Sequence, residues 1–396
     1  MKRVVATASL LALCAAAAAC QVLFGIEEKH LAEGAIDASV DSASDVGIDA
    51  TSDSNVADSD GQASWVRRPP PRPQGDAAPS LSGKSVTFAV RGMYLGSIDP
   101  ETDEPSIEAW KRMGYDLDGK CTTQEESSSG NTGVCTKRSA SGVVSQLDGE
   151  ECRDNAGGHI LSDAFNMLGI NYEKLTLAQS SSGEAFTLVL TIEDLDDGPD
   201  DAYAPGKLYV GAPRKTGETP PLWDGMDRLR IDERSVIDGG LESPRVVFAK
   251  GYVKDDVWVS NDFGTSPELL PLPLFGDFSY VEARTATISL RLNETHTRVL
   301  GSVLSAAATI PSIETAVWPG LLMLAQCSEG FAKTMLTQYV RPNADLADHP
   351  PEFVAPSEQC DLMSIGLQPE WKPVQPPDTV IPAGPAPVVC DAGVTD

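Results

Sequence analysis

The chain of 396 residues carries 58 acidic and 30 basic side chains, a formal charge of −28, so the attraction that draws proteins to nucleic acid or anionic lipid has the wrong sign here. Its apolar share of 41% is ordinary for a globular chain and supports one large core or two small ones. Few aromatics, at 6%, beside 34 glycines and 29 prolines favour strands joined by turns over long helices.

The first residues read as an export signal. Lys2 and Arg3 form a basic start, Val4 to Leu13 an apolar stretch too short to span a bilayer, and Ala17-Ala18-Ala19 a small-residue cleavage site before Cys20. The surroundings of Cys20 resemble a bacterial lipobox, with Ala17 where Leu is usual, and Gln21 resembles the signal for outer-membrane sorting. Residues 1–19 are thus expected to be a lipoprotein-type signal peptide, with Cys20 lipidated and the protein held at the outer membrane or cell surface. Cleavage after the alanines without lipidation, giving a freely secreted product, is the alternative.

Residues 20–84 read as a disordered tether. Asp37, Asp41, Asp45, Asp49 and Asp53 recur every four residues, which would stack like charges on one helix face. Arg67-Arg68-Pro69-Pro70-Pro71-Arg72-Pro73 then reads as a stiff polyproline segment.

Order is expected over 85–367, a mainly β ectodomain. Alternating β-branched, aromatic and small residues predict strands at 85–95, 186–193, 207–210, 245–250, 257–260, 285–292 and 298–304. Short strands separated by Gly, Pro and Asp turns suggest an antiparallel β-sandwich-like domain with a few short helices, preceded by the disordered stalk. Helices are expected near 105–113 and 163–168, and in a C-terminal helical segment over about 311–341, interrupted at Trp318-Pro319 and restarted by a Ser328 cap. Residues 368–396 read as a Pro-rich tail.

The cysteines after Cys20, namely Cys121, Cys135, Cys152, Cys327, Cys360 and Cys390, are an even set in an exported chain and read as three disulfides. Two of Cys121, Cys135 and Cys152 are expected to pair locally, which sends the third to the distant group. No Cys-x-x-Cys spacing occurs, so zinc is disfavoured.

The most patterned stretch is Gly114 to Glu125. With Gly119 at the sixth position of an EF-hand-like loop, Asp116, Asp118 and Glu125 fall at the third, fifth and twelfth, while the first ligand is missing. These three residues are the candidate calcium ligands, and calcium the candidate cofactor. Acidic turns at 148–154 and 194–201 can complete such a shell or be plain solvated turns. Trp223, in a Pro-rich loop, is a candidate sugar-stacking ring, against the alternative of buried packing. No nucleophile elbow, zinc-protease, Walker or dinucleotide motif occurs. His159, His296 and His349 stand in no catalytic context, so no catalytic residue is assigned.

The cassettes GYDLDGKC, DGEECRDN and CDLMSIGL resemble an uncharacterised group of predicted secreted lipoproteins from myxobacteria. The resemblance implies a cell-surface lipoprotein and supplies no activity. The function expected is that of a lipid-anchored binding or structural protein of the bacterial envelope. Its partners would be the membrane, through the anchor, and a glycan or other envelope component. The alternative is a secreted, carboxylate-dependent hydrolase acting on glycans.

Overall fold

The computed structural model describes residues 67–75, 83–125, 135–136, 147–168, 172–265, 269–274, 276–325, 327–348 and 358–384. The signal region, Cys20, the tether as far as residue 66, His349 and Cys390 lie outside them. The described residues all belong to one compact unit that begins at Trp65.

Strands dominate. In chain order they are β1 (Lys84–Tyr94), β2 (Thr187–Leu195), β3 (Gly206–Gly211), β4 (Ile231–Asp232), β5 (Val236–Ile237), β6 (Gly240–Pro244) and β7 (Val246–Phe248). They continue with β8 (Tyr252–Lys254), β9 (Val257–Val259), β10 (Leu269–Leu274), β11 (Asp277–Leu292), β12 (Val299–Thr309), β13 (Leu362–Pro373) and β14 (Val380–Ile381). All but β5 and β6 belong to one sheet, whose main path runs β14-β4-β3-β2-β1-β13-β12-β11-β9-β8. Every pairing in it is antiparallel except β14 with β4. The mainly β, antiparallel architecture read from the sequence is the one observed, and each of the seven predicted strands has its counterpart.

The path curls so that β9 packs against β3 and β7. Trp258 in β9 is fully buried, lies edge-on to Phe248 of β7 at 6.0 Å and donates its indole N–H to the Ala204 carbonyl at 2.8 Å. A Cβ on Gly206 in β3 would stand 2.8 Å from the same indole ring, so glycine is what lets the two layers close there. One core cluster takes in Phe88, Leu190, Leu208, Trp258, Ile288 and Leu304, from strands of both halves.

Among the described residues four α-helices accompany the sheet: α1 (Ala156–Leu168), α2 (Tyr172–Ser181), α3 (Ile310–Leu324) and α4 (Glu329–Met335). Helix α3 runs through Pro319, where an interruption was expected. Ser328 caps α4 as expected, accepting from the Phe331 N–H. Helix α2 had no strong sequence signal. It is anchored by Glu173, a buried carboxylate that accepts from Leu95 N, Ser97 N and Ser97 Oγ at 2.6–2.8 Å.

Two boundaries differ from expectation. Residues 67–75 of the supposed tether are docked on the body: Arg67 pairs with Asp116 at 2.5 Å, and Arg72 with Asp262 at 2.9 Å while stacking on Tyr252. Tyr252 in turn donates to the Pro70 carbonyl at 2.7 Å. The arginines find carboxylates and aromatic faces that only the folded body presents. The supposed tail from residue 368 instead begins inside β13, a strand between β1 and β12, and order continues through β14.

Cys121 and Cys152 are paired with a Cα separation of 4.6 Å, and Cys135 and Cys360 with 5.1 Å. Cys327 is also disulfide-bonded. One local and one long connection is the pattern expected from the spacing.

Candidate metal centre

Two acidic loops meet beside the Cys121–Cys152 pair. Asp116 and Asp118 come from the first and Asp154 from the second, and their carboxylate oxygens lie within 4.8 Å of one another. That span suits oxygens placed around one calcium ion at about 2.3–2.6 Å. Asp116 and Asp154 are 1% and 2% exposed.

The local backbone explains the convergence. Gly119, at a φ of +81°, makes the tight turn that lets its N–H reach Asp116 Oδ1 at 2.6 Å. Asp154 Oδ2 reaches across to accept from Leu117 N at 2.6 Å and Asp118 N at 3.3 Å, so it organises the first loop as well as joining its carboxylates. Asp148 accepts from Thr122 N at 2.5 Å, which fixes the second loop on the other side of the disulfide. Deeper in, Asp345 accepts from Ser364 N at 2.8 Å.

Negative charge accumulates here faster than it is balanced. Burial, reinforced by Asp116, pushes Asp118 up to about 6. Burial together with Asp118, Asp345 and Asp116 pushes Asp148 up to about 8, and burial raises Asp345 to about 7. Asp154 is driven well above the usual carboxylate range, by burial first and then by Asp118, Asp148 and Asp345. Arg67 pairs with Asp116, and Arg68 and Lys120 act on Asp118 from nearby. A site of this kind holds protons near neutral pH or takes a hard cation that replaces them.

The arrangement differs from the EF-hand register. Gly114, at the first position, is packed against the body, where a Cβ would lie 3.0 Å from the Asp154 carbonyl and 3.1 Å from Gly366 Cα. Glu125, at the twelfth, is exposed and is not in the carboxylate group. Asp154 stands in its stead, supplied by the acidic turn at 148–154. Asp345 and Arg67 carry no local signal of a role here, because only tertiary contact brings them to the corner.

The other candidates have settled local roles. Trp223 is partly buried against the small cluster that contains Ala89, Val189 and Ile231, and its indole N–H donates to the Ser181 carbonyl at 2.8 Å. In the turn at 194–201, Asp197 pairs with Lys84 at 2.6 Å and Asp200 with Lys254 at 2.8 Å, while Asp201 accepts from two turn N–H groups. His296 is fully buried between the Asp196 carbonyl at 3.0 Å and Asp256 at 3.2 Å. His159 stacks on Trp110 with ring centroids 4.1 Å apart. Comparison with protein-family models, with curated proteins and with solved structures gives no match.

Proposed function

We propose that the chain is a lipid-anchored binding or structural protein of the bacterial envelope, whose β-rich body is clamped at one corner by calcium. The observation that carries the calcium reading is the meeting of Asp116, Asp118 and Asp154 in a buried, carboxylate-rich corner. Calcium outside cells is abundant enough for the weak sites of extracellular modules, with Kd of roughly 10⁻⁴–10⁻³ M. Clamping two loops that a disulfide already joins gives a rigid platform rather than a reaction centre. A carboxylate-dependent hydrolase needs an acid and a base in a cleft, whereas Asp116 and Asp154 are buried and accept backbone N–H groups.

Thermal unfolding with calcium or magnesium at equal ionic strength tests the site. Calcium at about 10 mM is expected to raise Tm by roughly 3–8 °C more than magnesium. Equal shifts from the two ions would mean that they merely screen charge. Envelope anchoring rests on Cys20 and the signal-like residues before it. Growth with labelled palmitate is expected to tag the wild-type chain and to leave Cys20→Ser untagged; an untagged wild-type protein in the medium would refute the anchor.

A further inference from the structure

A groove of about 550 Å³ opens beside α2, a size suited to small organic ligands and short peptides. Its origin is traceable to Pro369. Strands β12 and β13 are paired from Leu304↔Leu367 to Thr309↔Leu362, and there the ladder ends. From Gln368 to Pro373, β13 is paired with β1 instead. Proline has no N–H to extend the ladder toward β12, and Ser302 Oγ donates to the Pro369 carbonyl across the gap. Beyond that point β12 keeps β11 on one edge, while its other edge has no ladder partner at Val299–Val303 among the described residues. Residues 299–302 of β12 and 368–372 of β13 line the groove that results.

The charge of the groove opposes that of the chain. Arg91, Lys174 and Lys372 line it against two acids, Asp103 and Glu370. Glu370 is shared, 3.2 Å from Arg91 and 2.8 Å from Lys372, so one carboxylate serves two cations. Asp103 accepts the Tyr94 hydroxyl at 2.5 Å. Leu300, 58% exposed, adds an apolar spot to the β12 wall.

We propose that this groove binds an extended acidic peptide, its carboxylates held by Arg91, Lys174 and Lys372 and its backbone laid along the unpaired edge of β12. Charge complementarity selects the acidic side chains, and a free strand edge is a template for another strand. A glycan fits less well. The aromatic rings in the lining, Tyr94 and Trp371, are 8% and 2% exposed and offer no open face for stacking. The groove shares no residue with the carboxylate corner, so this site stands or falls independently of calcium.

Fluorescence anisotropy with the whole exported chain and a labelled Ala-Asp-Ala-Glu-Ala-Asp-Ala peptide tests it. Saturable binding is expected, about tenfold tighter than for the same peptide with Asn and Gln in place of its acids. Arg91→Gln with Lys372→Gln should weaken binding about tenfold or more. Because that pair also strips Glu370 of its partners, Lys174→Gln on the exposed side of α2 serves as the second variant, with a loss of about threefold. Equal affinity for the amide peptide would overturn the proposal, as would affinity unchanged in both variants. Tighter binding of a digalacturonate probe than of the peptide would overturn it too, by making the groove a glycan site.

Discussion

At the scale of single residues, the acidic corner makes pH and metal one question. Carboxyl groups whose folded pKa lies above their ordinary 3.8 contribute stability that is complete below that value and is lost as pH rises through about 6 to 8. The metal-free protein is therefore expected to melt at progressively lower temperature from pH 4.5 to 8.5, as differential scanning calorimetry in EDTA would record. Calcium bound there as proposed would compete with the same protons, so the gap between calcium and magnesium should widen from pH 5.5 to 8; a gap independent of pH would separate the metal from these groups. Asp118→Asn mimics the protonated acid. It should raise the metal-free Tm at pH 8 and, with Asp154→Asn, abolish the calcium-specific gain. Arg67→Ala removes a half-exposed partner from a carboxylate that is 1% exposed. Its expected cost is about 1–3 kcal/mol in urea unfolding without calcium, and less with calcium, which can take over as counter-charge.

At the scale of elements, connections far apart in sequence hold the corner and the groove in place. The Cys135–Cys360 disulfide closes a separation of 225 residues and lies against Asp345, whose carbonyl oxygen stands 3.4 Å from Cys135 Sγ. Replacing both cysteines by serine is expected to lower stability by about 3–5 kcal/mol in the chain-entropy account. Denaturant titration monitored by far-UV circular dichroism checks this, and thiol titration of the unfolded, unreduced protein should find no free thiol. The element most poorly legible in the sequence was β13. The Pro-rich tail was expected to begin at residue 368, inside this strand, and Gly366 lies where a Cβ would come within 2.7 Å of the Met113 carbonyl. Pro369 falls where the strand exchanges one partner for the other, so no interior ladder bond is missing. Strand β10 tolerates Pro271 and Pro273 for a related reason: among the described residues it pairs with β11 alone, as an edge.

At the scale of the whole molecule, the sequence by itself determined the class and the chemistry on offer. Alternation of β-branched and small residues is a local property with a period of two, so β1, β2, β3, β7, β9, β11 and β12 were all legible. Composition alone disfavoured nucleic acid as a partner, and the acidic, His-poor loops pointed to hard oxygen ligands rather than zinc. The sequence also held Asp116 and Asp118 in one short loop, because a Gly-centred turn two residues across needs no distant partner. What it could not state is which remote carboxylate completes that group. Glu125 was chosen by spacing within one loop, whereas Asp154 arrives through a disulfide and a turn about 35 residues later, by packing that no local period encodes. The docking of Arg67 and Arg72, the partner exchange of β13 and the groove it opens are likewise decided only when strands distant in the chain become neighbours. Hydrogen-bonding edges and unbalanced charge acquire a meaning from what stands opposite them, and that is a property of the fold.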